Sequence, residues 1–115
     1  ADDDLLQRTK SQLDSYFDGD LQDFDLPLQP AGTDFQRRVW ALMERISYGD
    51  TMTYGEMAKA LNSAARAVGM ACGANPIPLI IPCHRVLAAN GMGGYSGDGG
   101  VETKVQLLRL EKVLL

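Results

Sequence analysis

A cysteine closes an apolar run, with a histidine and an arginine directly behind it: LIIPCHRV, Leu79 to Val86. A thiol attacks as its thiolate, a form that a nearby base or positive charge makes accessible. Beside His84 and Arg85, Cys83 reads in three ways: a nucleophile, a metal ligand, or a small buried hydrophobe. His84 is the single histidine of the chain, so any imidazole chemistry falls to it. It then needs an acceptor to orient its ring. Glu111, Asp98 and Glu102 lie downstream, and the sequence alone does not choose among them. Neighbouring side chains in extended chain point to opposite faces, so His84 need not touch Cys83 directly and a bridging water could link them. The metal reading is weaker, because Cys72, Cys83 and His84 lack a compact chelating spacing and a fourth ligand. Cys72, set among small residues, reads as a packing residue.

Such a thiol needs a fold to hold it. The chain has 115 residues, 45% hydrophobic and 23% charged, which suits one globular domain with or without an appendage. No apolar stretch approaches the length of a membrane span, and the start, ADDDLLQRTK, is acidic and unlike a signal peptide. Two cysteines make no disulfide framework, which favours a reducing, intracellular compartment. The net charge of −4 is unevenly placed. Residues 1–25 hold eight Asp against two Lys or Arg, net −6, and residues 26–115 hold nine Lys or Arg against seven acids, net +2. A DNA-binding surface is thus permitted outside the leader.

The pattern predicts a mostly α domain. Leu6, Leu13 and Phe17 sit at helical spacing in the leader, Gly19 ends that helix, and FDLPLQPAGT is an extended connector. Thr33 caps a helix carrying Phe35, Val39, Leu42, Met43 and Ile46. Thr53 and Glu56 form a capping box for the next helix, through Met57, Ala58 and Leu61. Ser63 is placed to cap a further helix ending near Gly73, and the pair reads as a helix-turn-helix. Prolines at 76, 78 and 82 frame a short buried strand or extended run, and RVLAANGMGGY reads as a second extended piece turning at Asn90-Gly91. VETKVQLLRLEKVLL closes the chain as a helix with Val101, Val105 and Leu108 on one face. The helix after the turn offers one long cation, Arg66, among small residues. That suits close approach to a narrow groove, and it equally suits tight helix packing.

Taken together, LPL, GTDFQRRVW, ISYGDTMTYGEMAKAL, RAVG, NPIPLIIPCHRV, GGYSG and LLRLE resemble the O6-alkylguanine-DNA alkyltransferases, from about Leu26 to Glu111. The resemblance implies a winged-helix-like domain over residues 31–115, with residues 1–30 a leader helix and connector left from the family's N-terminal domain. It implies a suicide enzyme that moves an alkyl group from O6 of guanine in duplex DNA onto Cys83, after minor-groove binding and base flipping. His84 would be the water-mediated base and Glu111 its orienting group, and Asn75 would hold the turn before the active-site strand. Arg66, Tyr54, Ala67, Gly69 and Arg85 would meet the DNA. Tyr95, Ser96, Val86, Met70 and Lys104 would lie at the guanine pocket. No cofactor and no metal is expected, and the protein would act as a monomer in a bacterial cytoplasm or a nucleus. O4-alkylthymine is a further possible substrate.

Three other readings stand beside it. An alkyltransferase-like lesion sensor binds without transfer, and those relatives carry tryptophan where Cys83 stands. A helix-turn-helix regulator would bind one unmodified sequence tightly. A cysteine hydrolase would release product repeatedly.

Overall fold

The computed structural model describes residues 2–26, 30–89, 91–95, 97 and 99–113. Among them five α-helices surround one small parallel strand pair. Helix α1 (Asp2–Phe17) is followed by α2 (Asp34–Glu44), strand β1 (Met52–Thr53), α3 (Tyr54–Ala60), α4 (Ala65–Gly73), strand β2 (Val86–Leu87) and α5 (Gly100–Leu110). None of these helices is long and apolar enough to cross a membrane.

Local signals start two of the helices. Thr33 caps α2 by accepting from Gln36 N at 3.1 Å, while Gln36 Oε1 accepts from Thr33 N at 3.0 Å. Thr53 and Glu56 repeat this reciprocal pair at the head of α3, at 3.0 and 2.9 Å. Each box satisfies two helix-end donors that would otherwise lack a partner. The start of α4 differs from expectation. Its cap residue is Ala64, with no side-chain hydrogen bond, and Ser63 instead lies in the turn, its N–H donating to Ala58 O at 2.8 Å. Asn62 takes the left-handed φ of 52° that tightens the turn, a conformation asparagine tolerates better than most residues. Helix α4 packs on both α3 and α2, completing the helix-turn-helix.

The core combines Val39, Trp40 and Met43 of α2, Met57 and Ala58 of α3, Val68, Ala71 and Cys72 of α4, and Ile81, Cys83 and Val86. Trp40 Nε1 donates to Ala71 O at 2.9 Å, locking α2 to α4. Burial reassigns the faces of the two outer helices. In α1, Leu6 and Phe17 are 67% and 54% exposed, and Tyr16 is the residue wholly buried. In α5, Val101 is exposed, and Lys104, Leu107 and Leu108 turn inward.

The strand region also sits elsewhere than expected. Leu79 and Ile80 form a turn with Leu79 at φ 82°, closed by Ile81 N donating to Ile77 O at 3.1 Å. Cys83–Arg85 then wind into one 3-10 turn, and the strand begins only at Val86. Met52 pairs with Val86 and Thr53 with Leu87, in parallel. Thr53 is therefore both the cap of α3 and a partner of the segment leaving the active-site turn. The turn expected at Asn90-Gly91 falls partly outside the described residues, though Ala88 and Gly91 form an antiparallel bridge.

Candidate active site

Cys83 opens the 3-10 turn and is buried, at 4% exposure. Its N–H donates to Ile81 O at 2.7 Å, and Arg85 N donates to Pro82 O at 3.0 Å. The loop in front of it is clasped by Asn75. That side chain donates from Nδ2 to Ile81 O at 2.8 Å and accepts from Ile77 N at 3.0 Å. An amide has both a donor and an acceptor, so one buried residue can staple both ends of the proline-rich turn.

The next residue of the turn carries the base. His84 is wholly buried, and its Nε2 lies 2.7 Å from Glu111 Oε2 at the end of α5. Burial alone would push the Glu111 carboxyl up. Hydrogen bonds from His84 and Arg85, the charge on His84 and the Tyr16 phenol outweigh it and hold the group at about 2. An ionised carboxylate only accepts, so Nε2 carries a proton and Nδ1 is the ring nitrogen left to exchange one. Nδ1 is buried and has no hydrogen-bond partner among the described residues.

Arg85 was expected at the DNA surface, and the structure places it inside. It is 4% exposed, with Nε 2.8 Å from Glu111 Oε1 and Nη2 3.0 Å from Oε2. Nη1 donates to Ile46 O at 2.7 Å, and the guanidinium carbon lies 5.7 Å from the centre of the Tyr48 ring. With its donors spent inward, Arg85 holds Glu111 in place.

Lys104 is also buried, and burial lowers its pKa. Its ammonium donates to the carbonyls of Val86, Met92 and Gly94 at 2.6, 2.6 and 2.9 Å. All three protons are used, so Lys104 ties α5 to β2 and to the segment that carries Tyr95. That segment passes over Tyr54 where only glycine fits. Gly93 has φ 73°, and a Cβ there would sit 3.0 Å from Tyr54 Cε2. Tyr54 and Tyr95 are half-buried, and both phenols are pushed up chiefly by burial, Tyr54 next by Cys72 and then Cys83, and Tyr95 next by Cys83, to about 12. Val86, directly after the turn, is fully buried.

Helix α4 turns a different set outward. Arg66 is exposed, Met70 is 72% exposed one turn later, and Ala67 and Gly69 lie half-buried between them. Met70, expected at the pocket, thus stands on the outer face. Ser96 lies outside the described residues. Cys72, buried on the inner face with its thiol 3.8 Å from Met43 Sδ, is pushed up to about 12 by burial and then by Cys83, and stays an inert thiol.

Comparison with known proteins now bears on this geometry. The family described as "6-O-methylguanine DNA methyltransferase, DNA binding domain" matches residues 34–113. The chain belongs to that family. A methylated-DNA–protein-cysteine methyltransferase of Methanosarcina acetivorans is 47% identical over 111 residues, covering 94% of this chain and 70% of the relative. One from Mycobacterium bovis is 52% identical over 104 residues, covering 88% of this chain and 62% of its own length. The crystal structure of Mycobacterium tuberculosis OGT in complex with DNA superposes with a TM-score of 0.85 at 50% identity, over 90% of this chain and 64% of that one. Schizosaccharomyces pombe Atl1, solved with damaged DNA containing O6-carboxymethylguanine, superposes at 0.61 with 27% identity. The chain thus spans roughly two thirds of the longer family members.

Two residues of this methyltransferase-family site were not read from the sequence. Tyr16 of α1 donates its phenol to Glu111 Oε2 at 2.6 Å, and Tyr48 donates to Leu110 O at 3.2 Å. The signal available for Tyr16 was a polar aromatic at a helix position beside an apolar stripe. Nothing local, however, says that such a tyrosine points at a carboxylate 95 residues away.

Proposed function

We propose that this chain repairs O6-alkylguanine in duplex DNA by irreversible transfer of the alkyl group to Cys83. The observation that carries this is the buried His84–Glu111 pair directly after Cys83 in the chain, with Nε2 of His84 committed to the carboxylate and Nδ1 without a hydrogen-bond partner among the described residues. His84, through a bridging water, takes the thiol proton, and Glu111 stabilises the resulting imidazolium. The thiolate attacks the alkyl carbon, the S–C bond forms as the C–O6 bond breaks, and guanine leaves with the electron pair and is protonated. Attack at an alkyl carbon needs alignment and no oxyanion hole. The thioether product has no ready route back, so each molecule reacts once.

A sulfur buried to this degree cannot touch a base inside a stacked duplex, so the guanine must rotate out to reach it. The outer face of α4 suits a minor-groove approach. Gly69 has no atom within 4 Å of where a Cβ would be, so its smallness serves nothing inside the protein and suits a surface outside it. Arg66, exposed on that face, would enter the stack where the base departs. Tyr54 at the head of α3 would contact the turned nucleotide, and Tyr95, Ser96 and Val86 would border the base. A monomer suffices for this scheme.

The test is intact mass after mixing the protein with a duplex carrying one O6-methylguanine, with Cys83→Ser as control. One added methyl mapped to Cys83, with no further turnover, is the expected result. Lesion-selective binding without an adduct would support the second reading, a lesion-binding protein. That reading rests on the likeness to Atl1.

A further inference from the structure

Glu111 Oε2 is a crowded atom. It receives the Tyr16 phenol at 2.6 Å, His84 Nε2 at 2.7 Å and Arg85 Nη2 at 3.0 Å. Tyr16 is 0% exposed, and its ring is held edge-on to Phe17 at 5.3 Å and to Tyr48 at 6.3 Å, with Phe24 at 5.4 Å. Helix α1 is anchored beside it. Arg8 and Gln12 donate to Asp25 O at 3.1 and 2.8 Å, and Asp25 N donates back to Gln12 at 2.7 Å. All of this lies before residue 34, where the family match begins.

We propose that Tyr16 is a positioning residue for the alkyl transfer, its hydroxyl fixing the carboxylate oxygen from which His84 hangs. The inference rests on the methyl-transfer reading above and deepens it. A carboxylate held by Arg85 on one edge can still pivot, and the phenol approaching from α1 removes that freedom. The titratable and charged groups facing Glu111 are Tyr16 from α1, Tyr48 from the segment after α2, and His84 and Arg85 from the 3-10 turn. Burial first, and then the bond to Glu111, push the Tyr16 phenol far above its ordinary range, so it remains a donor throughout the working pH span. Removing it leaves Oε2 to His84 and Arg85 alone, so the pH profile of transfer should respond to its loss.

The experiment compares the unmodified chain with Tyr16→Phe and Gln12→Ala. Tyr16→Phe keeps the ring, and Gln12→Ala loosens α1 while keeping the phenol. Single-turnover methyl transfer is followed from pH 5 to 9, roughly the span over which an imidazole changes charge. Tyr16→Phe is expected to be about fivefold slower at neutral pH, the size of one ordinary hydrogen bond, with its acid limb displaced. Gln12→Ala should leave that limb in place. An unchanged rate and limb in Tyr16→Phe would overturn the positioning role and leave the transfer reading intact. Equal displacement in both variants would reduce Tyr16 to a docking residue and also overturn it. The single imidazole gives an answer that needs no transfer. Its ring nitrogens, read by long-range 15N–1H correlation, should report a fixed Nε2–H tautomer in the unmodified chain and a mixture in Tyr16→Phe. If the unmodified chain transfers nothing, the repair reading fails by itself. Identical ring signals in the two proteins would then still sink the positioning role.

Discussion

Arg85 and Glu111 meet edge to edge, two guanidinium nitrogens on two carboxylate oxygens at 2.8 and 3.0 Å, with both side chains essentially buried. The pair predicts consequences for stability ahead of DNA binding. Removing one partner leaves the other charge buried without compensation, at a cost of about 3–5 kcal/mol. Arg85→Ala should therefore lower the unfolding free energy from urea titration by that much, with a correspondingly lower midpoint. DNA affinity of the folded fraction, measured at one salt concentration, should stay unchanged. A selective loss of DNA affinity with intact stability would return Arg85 to the interface.

Acid stability should follow Glu111. Its folded value, about 2, lies below the ordinary 4.5, so the unfolded chain takes up the proton first as pH falls. The stability linked to this group is present above pH 4.5 and is lost as pH drops toward 2. Glu111→Gln should flatten that part of the urea-midpoint curve. It should also lower stability at neutral pH, because Arg85 then lacks its anion. A midpoint curve as steep in the variant as in the unmodified chain would assign the acid sensitivity to another carboxylate.

Lys104→Met should leave the carbonyls of Val86, Met92 and Gly94 without their donor. A loss of about 1–3 kcal/mol is expected for such orphaned groups. Amide exchange should speed up across residues 88–95, with transfer slowed through a displaced Tyr95. Protection that is unchanged in that segment would show that the loop is held by other contacts.

Gly69→Ala separates folding from binding. Open space surrounds the site of the new Cβ, and replacing a mid-helix glycine stabilises a helix by about 0.8–1 kcal/mol. The melting temperature should rise while affinity for duplex DNA falls. A rise in both would place the DNA on another face.

Where the sequence was legible, the reason was local chemistry. Thr33 and Thr53 announce helix starts because a cap acts within three residues, and Asn75 and Cys83 stand in a motif whose spacing is fixed by the chain itself. Ser63 misled because a hydroxyl before a helix is permitted to cap it, whereas here the cap position falls on Ala64 and Ser63 joins the turn through its backbone N–H. The 3-10 turn at Cys83 was hidden because prolines fit an extended run equally well. Strands of two residues, such as β1 and β2, have no periodicity to read. Arg85 was expected at the DNA and Lys104 at the guanine pocket from the family likeness, and their burial depends on acceptors supplied by Glu111 and Ile46 for the one and by β2 and the loop after it for the other. Tyr16 depends on a contact across almost the whole chain, which no local pattern encodes.

Helix α4 and the thiol-bearing turn share one core: Val68, Ala71 and Cys72 pack in the same cluster as Ile81, Cys83 and Val86. The distance from the outward face to the sulfur is therefore a fixed property of the protein, like the throat depth of a gauge. On the proposed reading the polypeptide makes no search motion, and the work of presentation falls on the nucleic acid. Selectivity then begins before any chemical recognition of the alkyl group. A nucleotide that is already poorly paired leaves its stack more cheaply, and so spends more of its time at the depth where the sulfur waits.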